Sequence, residues 1–384
     1  MRAQTELADI FRKHRNGLGI LTPDKHKVIN AVVNCRTKVL GGHALACNQC
    51  DYKKNAYNSC RNRHCPKCQF LTKVKWIEKR RQELLPCSYF HVVFTIPQEL
   101  RSVFRQNQRL CYDLLFKATS GTLKEVANNP KNFGAQIGFI GILHTWAQNL
   151  VYHPHIHYVV PAGGLNSKNK WIKGRSDYFL PVKILGIVFR AKLLKALKEV
   201  YNQDKLEFFG KLEHLKQPAM FDELLYQVSA KNWHTYSKKP FAGAKQVISY
   251  LGQYTHRIAI SNYRIVEMKD DKVVFKVRDN DNPGKSKLTT LTAAEFLRRF
   301  LQHVLPKGYM RIRHFGILGN RYKKEKIKLI RKLNNIIEAL DSMSDLHWQE
   351  VLLKYLNFDV TICPSCSCGT LEAVEQMENE LNTS

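Results

Sequence analysis

The segment His153-Pro154-His155-Ile156-His157 holds the residues best suited to grip a reactive ion. Alternate side chains of a β-strand share a face, so His155 and His157 project together while Ile156 turns into the core. Two imidazoles on one strand make part of a metal clamp. A third ligand is expected from the adjoining strand, with Gln148, His144 and His153 as the candidates. Two imidazoles plus an amide or carboxylate oxygen leave open positions, which suits a catalytic Mg²⁺ or Mn²⁺ gripping a phosphate.

A second constellation is Ser249-Tyr250-Leu251-Gly252-Gln253-Tyr254-Thr255-His256-Arg257. Tyr250 and Tyr254 are four apart and neighbours on one helical face, so they could act in turn as nucleophiles. A phenol ionises near pH ~10, so attack at neutral pH needs a metal on the phosphate and a basic neighbourhood, offered here by His256 and Arg257. Val247, Tyr250, Leu251, Tyr254 and Ile258 also form the apolar stripe of an ordinary core helix, and only the histidine strand gives the pair chemical meaning.

Eleven cysteines are present. Cys47-x2-Cys50 and Cys65-x2-Cys68, separated by 14 residues, predict one structural zinc in a closed thiolate tetrahedron. Cys60 and His64 inside this stretch, and His43 before it, are surplus ligands. Cys363-x2-Cys366-x-Cys368 is half a further zinc site whose missing ligand could come from Cys60, His64 or His314. Asn282-Pro283-Gly284-Lys285-Ser286 looks like a phosphate loop, but Asp279 stands where its first glycine belongs, so no ATPase motor and no nucleotide cofactor are expected.

Lys and Arg number 61 against 32 acidic residues, a formal charge of +29 that points to a polyanionic partner. No apolar run approaches membrane-spanning length, and Met1–Ile10 lacks the apolar core of a secretion signal. The chain is expected to be cytoplasmic and nucleoid-associated, with no membrane partner.

The elements that must position these residues follow from periodicity. Helices are expected over 24–39, 70–85, 99–128, 182–200, 220–229, 242–256 and roughly 292–356. Strands are expected over 88–96, 136–147 and 155–161, with the last two pairing as a hairpin, and a strand–turn–strand around Asp270-Asp271. The helix over 70–85 is basic, and Lys73, Lys75, Arg80 and Arg81 could lie along phosphates. Mixed strands and helices without βαβ alternation imply an α+β fold. The expected organisation is an N-terminal zinc-binding module over 1–86, a catalytic domain over 87–265, and a hairpin, helical and cysteine-containing region over 266–384.

Together these residues resemble the two-tyrosine transposases of the HUH endonuclease superfamily, the rolling-circle insertion-sequence enzymes related to plasmid and phage replication initiators. The resemblance runs through SCRNRHCPKCQ, the HPHIH strand with Gly163-Gly164-Leu165, YLGQYTHRIAISN and RYKKEKIKLIRKL. It implies an RRM-like antiparallel sheet flanked by helices. By resemblance His155 and His157 hold the divalent ion, Gln148 is the third ligand, and Tyr250 or Tyr254 attacks single-stranded DNA to give a 5′-phosphotyrosine and a 3′ hydroxyl. The phosphotyrosine conserves the bond energy for rejoining, and the DNA is expected to carry hairpin ends. A plasmid replication initiator or relaxase would share this chemistry. A non-enzymatic zinc-dependent regulator would leave the histidines and the tyrosine pair unexplained.

Overall fold

The computed structural model describes residues 5–177, 179–238, 247, 252, 258–279, 281–282, 284–336 and 347–382. In chain order the described strands are β1 (Gly42–Cys47), β2 (Lys53–Tyr57), β3 (Tyr89–Thr95), β4 (Gln136–Trp146), β5 (Tyr152–Pro161), β6 (Gly163–Leu165), β7 (Trp171–Lys173), β8 (Thr235–Lys238), β9 (Ile265–Lys269), β10 (Lys272–Arg278), β11 (Ser286–Thr292), β12 (Ile312–Gly316) and β13 (Leu371–Met377). The described helices are α1 (Leu7–His14), α2 (Pro23–Asn34), α3 (Phe70–Arg81), α4 (Arg101–Gln106), α5 (Gln108–Asn128), α6 (Val182–Asn202), α7 (Pro218–Ser229), α8 (Ala293–Leu301), α9 (Lys323–Leu333) and α10 (Trp348–Leu356).

The central sheet runs β7-β6-β4-β5-β3-β8, with β12 also paired to β4, and its ladders are antiparallel. Strand periodicity separates its two faces. Phe90, Val92 and Phe94 of β3, Ile156, Tyr158 and Val160 of β5, and Phe139 and Leu143 of β4 enter the main core, where Leu115, Phe116, Phe189 and Leu193 of α5 and α6 cover them. The opposite face carries Tyr89, Ile140, Ile142 and Val159, packed with Trp76 of α3 and with Val247. This second face also presents His91, His155 and His157.

A second core joins the chain's beginning to its later part. Leu7 and Phe11 of α1 and Val28 and Val32 of α2 pack with Phe275 of β10 and Phe296 and Phe300 of α8. Phe11 meets Phe300 edge-on at 5.7 Å. The strand–turn–strand expected around Asp270-Asp271 is present as β9–β10, and β11 extends it to three strands.

Two expected helices are interrupted. The one over 99–128 breaks at Asn107, where φ −113° and ψ 45° end α4 and start α5. The helical tail over 292–356 contains β12, whose residues Ile312–Gly316 pair with Ile142–Gly138. That stretch reads as period 2, and it covers backbone donors and acceptors along an edge of β4 that would otherwise be unpaired. After α10 the chain returns as β13 to lie against β1, completing the three-stranded sheet β13-β1-β2.

Candidate active site and metal centres

The β4–β5 hairpin brings three histidines together. His144 lies directly opposite His155 in the ladder, and Ile142 opposite His157. Ligand nitrogens of His144, His155 and His157 fall within 4.8 Å of one another. His144 and His157 are buried and His155 is half-buried. His155 Nδ1 donates to the His153 carbonyl at 2.6 Å, and His157 Nδ1 shares a 2.8 Å hydrogen bond with His91 Nε2. The carbonyl leaves His155 Nδ1 only the donor role, which frees its Nε2 for an ion, and ligation through His157 Nε2 requires its Nδ1 to donate to His91. Burial, with Lys238 nearby, lowers His91 to about 4, so it stays a neutral partner. His153 is likewise lowered to about 4 by burial and by Arg101, whose guanidinium contacts His153 Nδ1 at 2.8 Å, and it stands outside the triad.

Of the three candidates for the third ligand, His144 is the one whose ring nitrogens meet those of the strand pair. Gln148 sits in the turn beyond β4, past the register of His155, whereas His144 is cross-strand from it. A register irregularity between His144 and Trp146 is what sets His144 opposite His155. Continuing the Trp146–Tyr152 pairing without it would oppose His144 to Pro154, on the core-facing side of β5. Three nitrogens at this spacing fit one divalent ion.

The turn itself is held from outside. Arg264 donates to the Gln148 carbonyl, Arg299 to the Asn149 carbonyl at 3.1 Å, and His303 Nε2 to the Leu150 carbonyl at 3.0 Å. Leu150 has φ 62°, a left-handed conformation that an apolar side chain rarely adopts. Thr145 Oγ1 completes the His303 ring with a 3.2 Å contact to Nδ1, and burial lowers His303 to about 4. Three consecutive carbonyls are thus anchored by side chains that sequence reasoning did not single out. No local motif marks them, because their partners lie 116 to 153 residues away.

The cysteines divide differently from expectation. Cys65 and Cys68 gather with Cys60 and Cys35, while Cys47 and Cys50 gather with Cys363 and Cys366. The single tetrahedron expected from the two early pairs does not form, because β1 and β2 carry Cys47 and Cys50 away from the turn that bears Cys65 and Cys68. Cys35, at the end of α2, was not anticipated, as a lone cysteine has no spacing signal. Its Sγ accepts from the Cys60 backbone N–H at 3.5 Å, and Cys65 Sγ accepts from that of Lys67 at 3.4 Å. Cys60 and Cys68 sulfurs stand 3.7 Å apart, close to the edge of about 3.8 Å in a ZnS₄ tetrahedron with Zn–S of ~2.3 Å. His64 is no ligand here. It is buried, its backbone N–H bonds the Asn62 side chain, and burial lowers it to about 3. His314 contacts Arg80 at 2.9 Å, and Cys368 is exposed outside both clusters.

Among the basic residues, Arg80 departs from its expected role. It is 6% exposed, bound to Glu83 at 2.8 Å and to His314, and stacked over Trp76 at 5.4 Å, so it cannot lie along a phosphate. Arg81 is partly exposed and reaches Glu78 at 3.4 Å, Lys75 is exposed, and Lys73 lines a cleft. That cleft, of about 590 Å³, lies between α3 and residues 258–264, and Lys67, Phe70, Gly252, Tyr263 and Arg264 also line it. Phe70 and Tyr263 are exposed there, the latter at 76%.

Tyr250, Tyr254, His256 and Arg257, with most of the helix expected over 242–256, lie outside the described residues. Two positions of that segment are described, and both are helical. Val247 is buried against Ile140, Ile142 and Val159, on the face that carries the histidines. Gly252 lies against α3 so closely that a Cβ would stand 2.2 Å from Ile77 Cδ1.

Comparison with known proteins agrees along the chain. A family described as "Putative transposase" matches residues 138–326, and one described as "Transposase zinc-binding domain" matches residues 4–96. The "Putative transposase y4qJ" of Sinorhizobium fredii is 41% identical over 381 residues, covering 97% of this chain and 96% of that protein. The transposase for insertion sequence element IS801 of Pseudomonas savastanoi pv. phaseolicola is 27% identical over 350 residues, covering 88% and 81%. Among solved structures, the conjugative relaxase TrwC in complex with OriT DNA aligns over 43% of this chain and 71% of its own at 14% identity, with a TM-score of 0.24. The chain belongs to the two-tyrosine insertion-sequence transposases that bear a zinc-binding domain at the N-terminal end.

Proposed function

We propose that this transposase nicks and rejoins single-stranded DNA through a 5′-phosphotyrosine, in rolling-circle transposition. The observation that carries the reading is the triad of His144, His155 and His157 on one sheet face, with Val247 of the tyrosine-bearing segment packed on the same face. Tyr250 is three residues from Val247, so their Cα atoms are at most about 11 Å apart.

In this reading the tyrosine oxygen bonds to phosphorus, the bond from phosphorus to the 3′ oxygen breaks, and the phenolic proton leaves to solvent or a neighbouring base. A 3′ hydroxyl departs. Reversal by another 3′ hydroxyl reseals the strand without a nucleotide cofactor, and the second tyrosine allows two transfers in succession. A bound divalent ion would draw charge from the scissile phosphate. The chain's own part is to hold that ion through His144, His155 and His157, to fix two of those rings through His91 and the His153 carbonyl, and to exclude water by burial. A three-imidazole set favours a transition ion such as Mn²⁺ over Mg²⁺, which prefers oxygen ligands. We read the antiparallel sheet as the rearranged RRM-like sheet of such enzymes, because the histidines sit on its interior strands β4 and β5.

The basic surface supplies sequence-independent affinity for the phosphate backbone. Lys73 with exposed Phe70 and Tyr263 suits a single strand, whose unstacked bases settle on aromatic rings. Hairpin ends are the expected form of the DNA.

The test is direct. A labelled single strand from the element's end, incubated with the protein and Mn²⁺, is expected to yield a covalent protein–DNA adduct that survives denaturation and fails to form with chelator. Cleavage without any adduct would overturn the proposal.

A further inference from the structure

We infer that the chain carries a second structural zinc, ligated by Cys47, Cys50, Cys363 and Cys366, which clamps the C-terminal segment onto the N-terminal module. The inference stands apart from the catalytic reading above and uses none of its residues.

All four sulfurs lie within 4.8 Å of one another. Cys47 and Cys366 are 3.7 Å apart, as are Cys50 and Cys363. A disulfide would need about 2.05 Å. Two thiolates on one ZnS₄ centre stand about 3.8 Å apart, so the spacing is that of ligands. Backbone N–H groups turn toward the sulfurs as they do at zinc knuckles, from Gln49 to Cys47 Sγ and from Gly369 to Cys366 Sγ, each at 3.3 Å. Such bonds spread thiolate charge and fix sulfur direction. Gly369 is required for the approach, since a Cβ there would stand 2.4 Å from Cys47 Sγ.

The surrounding backbone is arranged to match. Asn48 N–H donates to the Thr370 carbonyl at 3.1 Å, and Thr370 N–H returns a bond to Asn48 Oδ1 at 2.9 Å. β13 then pairs along β1 from Cys47–Leu371 to Gly42–Met377. Yet β13 buries little. Five of its seven residues are exposed, including Val374 at 62%, so apolar burial gives this strand little hold on β1. A three-stranded sheet without a buried face is marginal in water, and a metal supplies the missing attachment energy. Because the ligand pairs are more than 310 residues apart, the ion joins the two ends of the fold.

The experiment uses the full chain. Native mass spectrometry is expected to show one zinc fewer per chain in the Cys363→Ser/Cys366→Ser double variant than in the wild type and no loss in Cys368→Ser, with His144→Ala measured alongside so that any zinc at the histidine triad is counted separately. An equal zinc count in the wild type and the double variant overturns the inference. Should the double variant not fold, alkylation of wild-type protein decides. Cys47, Cys50, Cys363 and Cys366 are expected to resist iodoacetamide until zinc is stripped, while exposed Cys368 reacts throughout. Reaction of Cys366 at the rate of Cys368 in zinc-replete protein overturns it as well.

Discussion

Among single residues, His144 decides how the active site is understood. Its two partners were legible from strand alternation alone, because His155 and His157 share a strand. The third was narrowed to Gln148, His144 and His153 and no further, because choosing among them needs the cross-strand register, which shifts between His144 and Trp146 and which no spacing rule reveals. The prediction is that His144→Ala abolishes strand cleavage as fully as His155→Ala or His157→Ala, while Gln148→Ala retains it. Cleavage assays on a labelled single strand check this, with filter binding to verify that DNA affinity persists in every variant. His91, which touches His157 and lies outside the triad, is a positioning residue. His91→Ala is expected to weaken metal affinity about 10–100-fold, read as a shift in the Mn²⁺ concentration for half-maximal cleavage.

For the elements, what matters is how the hairpin is held in place. The sequence showed the β4–β5 hairpin but not its anchors, since Arg264, Arg299 and His303 reach the turn across the tertiary fold. Removing His303 leaves the Leu150 carbonyl and Thr145 hydroxyl without their buried partner, at a cost of about 1–3 kcal/mol. His303→Ala should therefore lower the melting temperature and also weaken metal-dependent cleavage. An unchanged Tm would contradict the anchoring role. Helix α3 shows the converse case. Its basic period was legible, but amphipathic spacing could not reveal that Arg80 points inward to Glu83 and His314. Arg80→Ala is expected to lower thermal stability, whereas Lys75→Ala should leave it unchanged. If exposed Lys75 meets a phosphate, its loss should reduce the salt dependence of DNA binding by about one ion, measured from titrations at several salt concentrations.

Taken whole, the molecule is tied across its length by contacts that local reading misses. The early Cys-x-x-Cys pairs were plain, but their division between two clusters depends on Cys35 and on a tail more than 300 residues away. β12 and β13 went unread for a related reason, as each is a short strand whose pairing partner lies far along the chain. Buried neutral histidines give the whole fold an acid sensitivity. Burial holds His303 at about 4 and His64 at about 3, below the ordinary value of 6.5. The unfolded chain binds these protons first as pH falls, so their contribution is complete above pH ~6.5 and is lost progressively toward pH 4 and below. Thermal melts between pH 7 and 4 should show a steady fall in Tm, with a smaller slope in a folded His303→Gln variant.

A tyrosine of the segment adjoining Val247 is expected to attack DNA held at the histidine triad. Peptide mapping by mass spectrometry, after reaction with Mn²⁺ and an oligonucleotide from the element's end, tests it most directly. A nucleotide adduct is expected on Tyr250 or Tyr254, absent from the protein in which both are phenylalanine. An adduct on any other residue, or one that survives the double substitution, would contradict it.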